Sequence, residues 1–455
     1  MQLWMDVMRD IEHILEDYER LFDAWEAGGV DGLVIGPLQF GVTGWVAHTS
    51  LRQTPSGVAD QPVATFDPDP RIYRRFGVEP PPAPEAFPEK RKRLEEMLAA
   101  AKTRGWSVWI FQPATGAGPG GSGPVLVDET TRAAACARMV DTLEHYPMAD
   151  GGILDGPEWG YEISPHHRKY IFADLPESVA PGCAALGYDY AALVAAKDRL
   201  FDRLHSLAPP RVSLHVSGGM LGASRLLDDD PDLAAWLRYR TESMTEFFRQ
   251  VKTGLDAEMS HPVKLGCGPR TAAFAPLSGY DFEQLAKCLD LLLPKHYFWH
   301  RGFDGMVGTV YRYVETLTEW NPGLSDGQAF ALVQALFGLD FPGVEHRTDL
   351  ETVLDSDWFE RIVDRETRRA LAAVDDPDRI VPWVDTGRAP HDGDPMPAGY
   401  LRRLLCAARE AGLNRFLYHH HNNLTAGEWT VISELCGEPW SPQISTYCPP
   451  DRPVL

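Results

Sequence analysis

Short apolar runs alternate with amphipathic stretches from one end of the chain to the other. Runs of four to eight apolar residues read as buried strands, whereas apolar residues three and four apart read as one face of a helix. The segments 31–36 (DGLVIG), 106–112 (WSVWIFQ), 151–155 (GGILD), 263–267 (VKLGC), 289–297 (LDLLLPKHY), 379–384 (RIVPWV) and 413–419 (LNRFLYH) predict strands. Segment 2–6 (QLWMD), where Leu3 and Met5 alternate with Gln2 and Trp4, predicts one more. Between them, 11–27 sets Ile11, Ile14, Leu15, Tyr18, Leu21, Phe22 and Trp25 on one helical face. Further helices are predicted over 88–103, 130–145, 231–257, 357–374, 397–410 and 426–436. Gly29, Gly105 and Gly412 fall where a left-handed residue closes a helix before the next strand.

This alternation is the pattern of an α/β protein with a parallel sheet, and eight strands predict a (β/α)8 TIM barrel with long βα-loop insertions. A doubly wound open sheet is the alternative, but its glycine fingerprint is missing from the first strand–helix turn. The run 211–216 (RVSLHV) is a ninth strand candidate. It either replaces 2–6 in the barrel or lies in an insertion. The insertion is preferred, because 231–255 then serves as the long helix between the GGILD and VKLGC strands. Residues 1–437 then form the barrel, with insertions at 37–88, 156–230 and 298–355, and 438–455 is a C-terminal tail packed on it. Removing the insertions leaves about 270 residues, near the roughly 250 of a bare barrel. The excess length is therefore expected to build walls over one pocket.

Charge narrows the partners. The 455 residues hold 43 Lys and Arg against 65 Asp and Glu, a formal charge of −22. Nucleic acid and anionic membrane surfaces are disfavoured, since polyanions are repelled at long range. The seven cysteines are widely spaced with no C-x-x-C pair, so neither a disulfide framework nor a zinc ribbon follows. The first residues are acidic where a secretion signal needs a basic start. No run approaches the roughly 18 apolar residues of a membrane span. A cytoplasmic protein is expected, as a monomer or a homo-oligomer.

Candidate chemistry clusters at strand ends, which in a barrel point into the mouth. LDGPEWGYEISPHH (154–167) ends its strand on Asp155 and follows it with Glu158 and Glu162 beside Trp159 and Tyr161. Paired carboxylates suit glycosidic cleavage, one as acid and the other as nucleophile or base. Aromatic rings would stack on sugar faces and raise a neighbouring carboxyl by desolvation. The plainer reading makes Asp155 a turn cap and Glu158 a solvated side chain. PKHYFWHRGFDG (294–305) offers Lys295, His296, Tyr297, Trp299 and His300 as a polyol-binding wall, unless Phe298 and Trp299 simply pack the rim. VPWVDTGR (381–388) brings Trp383 and Asp385, a carboxylate that would partner Glu158 or cap the turn at Thr386-Gly387. Arg270 in CGPRTAAF would hold a substrate hydroxyl or a catalytic carboxylate.

FLYHHHNNLTAGEW (416–429) carries His419, His420, His421, Asn422 and Asn423 after the last strand. Neighbouring strand residues face opposite ways, so at most two of the histidines converge on one ion. Substrate hydrogen bonding by His419, His421 and Asn422, or a satisfied rim histidine, is the preferred role, with no metal expected. The literal G-x-G-x-x-G from Gly116 to Gly121 opens no helix and reads as a loop.

Placed on a barrel, these segments resemble the glycoside-hydrolase-like TIM barrels. The strand ending in Asp-Gly (GGILDGPEWGYE) is similar to strand four of α-fucosidase-like barrels, LDLLLPKHY to their sixth strand, and PWVD to a penultimate Trp-x-Asp strand. The chain departs from the large hydrolase clan, whose strand four carries Asn-Glu; here Gly156-Pro157 separates Asp155 from Glu158. The His-His pair that fucosidases carry after strand two is replaced by GPLQFGVTGW (36–45). The resemblance implies a glycoside hydrolase acting on a small glycoside or oligosaccharide without a cofactor. Asp155 and Glu158 are the expected central pair, with Asp385 or Glu162 as the other partner and the neutral member packed against Trp159.

Two other functions fit the same residues. A metal-dependent sugar isomerase or amidohydrolase would hold an ion through strand-end His and acidic groups, although QLWMDV lacks the His-x-His of amidohydrolases. A non-catalytic carbohydrate-binding barrel would use its carboxylates only to hydrogen-bond sugar.

Overall fold

The computed structural model describes residues 1–7, 11–36, 66–81, 88–114, 125–227, 230–299, 305–385, 396–443 and 445–450. Eight strands appear in chain order: β1 (Gln2–Asp6), β2 (Val30–Ile35), β3 (Ser107–Pro113), β4 (Gly151–Asp155), β5 (Lys264–Cys267), β6 (Leu291–Leu292), β7 (Trp383–Asp385) and β8 (Arg415–His419). They form one sheet of order β6-β5-β4-β3-β2-β1-β8-β7, with every pairing parallel. The two ends of that order then meet. Parallel bridges join Leu292 to Ile380 and Lys295 to Trp383. The Val381 and Trp383 amides donate to the Leu292 and Pro294 carbonyls at 2.9 Å, and the His296 amide donates to Trp383 at 3.0 Å. These bonds close the sheet, and the fold is the (β/α)8 TIM-barrel class.

The barrel helices are Ile11–Ala27, Pro88–Thr103, Glu129–His145, Pro231–Glu258, Trp358–Leu371, Ala398–Glu410 and Ala426–Cys436. Their starts follow from local chemistry. Asp128 and Asp230 accept the first free helix amides, and Thr425 and Glu428 make a reciprocal capping box. Gly29, Gly105 and Gly412 all adopt positive φ between helix and strand, as expected.

Strand alternation separates two cores. Leu3, Met5, Leu33, Val108, Ile110, Leu154, Leu265, Phe416 and Tyr418 face the helices. Trp4, Val34, Trp109, Phe111, Ile153, Leu291, Leu293, Val381, Trp383 and Leu417 fill the barrel interior. The interior is therefore a packed plug, and the next inward positions beyond it form the mouth.

Segment 211–216 is helical, within Pro209–Val216, so it is no strand; Pro209 and Pro210 occupy the first helical turn, where proline fits. Leu214 is 70% exposed, so the apolar alternation there reports no buried sheet face. The segment lies in the 156–230 insertion, together with helices Ala180–Ala185, Tyr190–Leu204 and Gly219–Ser224. The 298–355 insertion contributes Met306–Trp320 and Asp326–Phe337, and the two insertions pack on each other. Asn321 accepts from the Leu207 amide and donates to Leu204, both at 2.8 Å, and Gln328 donates to Ser213 at 2.8 Å. Most of the 37–88 insertion (37–65 and 82–87) lies outside the described residues, as do the glycine loop 116–121 and the end of the 438–455 tail. The described part of that tail buries Tyr447 against Trp429.

Candidate active site

Counting two residues on from the interior layer identifies what the strands aim into the mouth. Trp4 leads to Asp6, Ile153 to Asp155, Trp383 to Asp385 and Leu417 to His419. All four are buried. Asp385 and His419 are also direct partners in the β7–β8 register. Three carboxylates and an imidazole thus ring the barrel end, each fixed by the backbone of a strand.

Lys295 reaches Asp155 from the β6 side, with Nζ 3.4 Å from both carboxylate oxygens. Its own backbone is fixed by the Pro269 carbonyl and by the Thr271 hydroxyl, at 2.9 and 2.7 Å. Asp155 also lies against the chain at Gly268, where a Cβ would stand 2.4 Å from Oδ1. Glycine there is a condition for the carboxylate's position. The neighbouring His296 is buried with Nδ1 unpartnered among the described residues. Burial pushes its imidazole down to about 3, so it is neutral at physiological pH.

The other predicted carboxylates are engaged elsewhere. Glu158 forms a bidentate pair with Arg270, with Nε at 2.5 Å and Nη2 on the second oxygen, both side chains being 1% exposed. Arg270 therefore holds the Glu158 carboxylate, and its guanidinium stacks on Tyr161. Glu162 accepts from Thr309 at 2.8 Å and from Arg312, which ties it to the helix Met306–Trp320. The intervening residues are clamped as well. Trp159 donates to Ser243 at 3.2 Å and packs on Trp236 and Tyr239. The Gly160 carbonyl accepts from buried Arg240 at 2.5 Å, and Tyr313 donates to the Tyr161 carbonyl. The segment after Asp155 is thus a belt binding β4 to the helix Pro231–Glu258 and to the 298–355 insertion. Trp159 and Tyr161 are core aromatics, which removes them as sugar platforms. The expectation of a neutral acid packed against Trp159 is replaced by an ion-paired Glu158.

Buried Tyr280 lies behind this belt with its hydroxyl unpartnered among the described residues. Burial first, then the charges of Glu158 and Asp155, push its phenol well above the usual range.

The remaining predicted groups divide. Trp383 faces inward between Phe111 and His419, with ring centroids 5.8 and 4.7 Å away. Tyr297 stacks toward His419 at 6.5 Å. Trp299 packs at the rim against Phe359, and His300 lies outside the described residues. His421 turns away to Trp25 and the Tyr447 hydroxyl. Asn422 Oδ1 is buried without a partner among the described residues.

Asp6 was not among the expected residues. Its carboxylate is hydrogen-bonded to Nδ1 of His419, and Nδ1 of His420 lies 3.0 Å from the same oxygen. Burial opposes its ionisation, yet the attraction of His420 and His419 and their hydrogen bonds outweigh it and hold the carboxyl well below the usual range. The signal for Asp6 was present, two residues past inward Trp4 on the first strand. Arg312 and Tyr280 carried no such signal, since neither ends a strand.

A cavity of about 420 Å³ opens at the opposite end of the barrel, lined by Trp4, Trp109, Asp290, Asp376, Asp378 and Arg379 among others. That is the N-terminal face, where barrels carry stability and not chemistry.

No protein-family model matches the sequence, and no curated protein matches it significantly. Solved structures do resemble it. The PgaB (BpsB) glycoside hydrolase domain from Bordetella bronchiseptica superposes with a TM-score of 0.49 at 11% identity, over 95% of this chain and 99% of that one. A class V chitinase from Pseudomonas fluorescens Pf-5 gives 0.42 at 12%, over 95% and 99%. A Group IV chitinase from Ostrinia furnacalis gives 0.44 at 9%, over 96% and 100%. Likeness this distant leaves the chemistry of the mouth to be read from its own side chains.

Proposed function

We propose that the barrel mouth is the active site of a glycoside hydrolase in which Asp155 and Asp385 are the working carboxylates. The observation that carries this is their shared layer. Both end strands, both point inward, and neither belongs to the Glu158–Arg270 or Glu162–Arg312 clamps. Glycosidic cleavage needs two carboxyl groups in different protonation states flanking one bond. We assign the nucleophile or base role to Asp155, which has Lys295 Nζ 3.4 Å away, and the proton donor's role to Asp385. Trp383 and Tyr297, buried in the interior layer, pack beneath the mouth and support the carboxylates above them. His296, neutral and rigidly placed, supplies a hydrogen bond that does not change across physiological pH.

The test is a screen of aryl glycosides with the wild type and single amide variants. Asp155→Asn and Asp385→Asn are each expected to lower kcat by roughly 100- to 10,000-fold, the range of one acid–base group. Asp385→Asn should restore more rate on substrates with good leaving groups, which need less protonation. Full activity in both variants would remove these residues from the chemistry.

A further inference from the structure

We propose that Asp6, His419 and His420 form a binding site for a divalent transition-metal ion of the zinc class. The inference goes beyond the hydrolytic reading and does not depend on it. One carboxylate oxygen and two imidazole nitrogens lie within 4.8 Å of one another, and all three residues are buried. Both Nδ1 atoms are turned onto the same Asp6 oxygen. Two imidazoles with one carboxylate suit zinc, iron, cobalt or nickel, whereas magnesium and calcium take oxygen ligands. Three protein ligands leave one position of a tetrahedral ion open, the arrangement of metal sites that also hold water or substrate.

The fold supplies rigidity. Asp6 and His419 end adjacent parallel strands, β1 and β8, directly above Trp4 and Leu417 of the packed interior. His420 is the first residue beyond β8, so the alternation that turns strand neighbours apart no longer applies to it. That is how two consecutive histidines meet one carboxylate, while His421 leaves for Tyr447. Asp385 pairs in register with His419, which places the site beside the mouth carboxylates.

An alternative arrangement satisfies the same three residues without an ion, the carboxylate simply accepting two imidazole N–H bonds. The two differ in what the protein binds. The full chain, stripped with chelator, is titrated calorimetrically with Zn²⁺, and Co²⁺ binding is followed by visible absorption. One ion per chain is expected, with binding that strengthens as pH rises because the ligand nitrogens must be deprotonated. Asp6→Asn and His420→Gln should each weaken Zn²⁺ binding by about 100-fold or more, since even outer-shell losses cost 10- to 100-fold. His421→Gln should leave it unchanged. X-ray absorption of the wild-type zinc form needs no variant and should show two imidazoles plus oxygen. No uptake of Zn²⁺ or Co²⁺ by the wild type would overturn the proposal. So would equal affinity in Asp6→Asn and His420→Gln, or a zinc shell lacking imidazole. Because the readout is metal binding, inactive hydrolysis would leave this result intact, and the converse holds.

Discussion

Replacing Glu158 by glutamine keeps the side chain's shape and deletes one charge from a pair in which both partners are 1% exposed. Removing one partner of a buried ion pair costs about 3–5 kcal/mol, because the charge left behind loses its compensation while remaining desolvated. Here the group left behind is Arg270, packed on the Tyr161 ring with its Nε turned toward Oε2 and its Nη2 toward Oε1. Removing both charges relieves that penalty. The double variant Glu158→Gln/Arg270→Met should therefore cost clearly less than the sum of the singles, with a coupling of about 2–3 kcal/mol. Urea unfolding followed by far-ultraviolet circular dichroism measures all four proteins, and an unchanged m-value confirms that stability alone has moved. Aryl-glycoside pH profiles run alongside. Glu158→Gln should lower the rate without deleting either limb of the profile, since Glu158 holds the belt after β4 and transfers no proton. A single-variant cost below about 1 kcal/mol with an additive double would refute the buried pair. Loss of one pH limb in Glu158→Gln would instead return Glu158 to the chemistry.

Other consequences are open to measurement. His296 is shifted by burial from its ordinary 6.5 to about 3, so the unfolded chain binds a proton below pH 6.5 that the folded one refuses. Stability from this group is complete above 6.5 and falls as pH drops toward 3. Between pH 7 and 5 the wild type should lose about 2 kcal/mol more than His296→Leu, and equal losses by urea unfolding would contradict the buried neutral ring. At Gly160 a Cβ would meet the Tyr170 Cα and carbonyl carbon at 2.5 and 2.6 Å. Gly160→Ala should thus cost about 1–3 kcal/mol through overpacking against backbone that cannot swing aside. An unchanged melting temperature would show that the belt is looser than described.

The fold was largely legible because its signals are local. Apolar runs such as DGLVIG and GGILD and the helix faces between them depend on neighbours within a few residues, and each became the expected element. The exceptions have physical causes. RVSLHV alternates like a strand, but the two prolines before it start a helix whose Leu214 faces outward. LDLLLPKHY pairs with β5 only at Leu291 and Leu292; Pro294 cannot donate to the ladder, and the chain continues by single bridges. The site was legible only where a strand aimed it. Asp155, Asp385 and His419 follow from alternation, whereas the partners that occupy Glu158 and Glu162 lie 112 and 150 residues away. No local pattern announces such pairs. Strand alternation turns consecutive histidines apart, yet His419 and His420 meet, because His420 lies just beyond β8; their meeting point is Asp6, 413 residues from His419.

The central claim is that the carboxylates ending β4 and β7 do the chemistry. The most direct measurement compares Asp155→Asn, Asp385→Asn and Glu162→Gln on one aryl glycoside turned over by the wild type, each variant first shown to be folded. The account predicts that the two strand-end variants lose at least about 100-fold in kcat. Glu162→Gln, which breaks a clamp to Arg312 away from the mouth, should show its main effect in stability. Retained turnover in both strand-end variants, with loss only in Glu162→Gln, would contradict it.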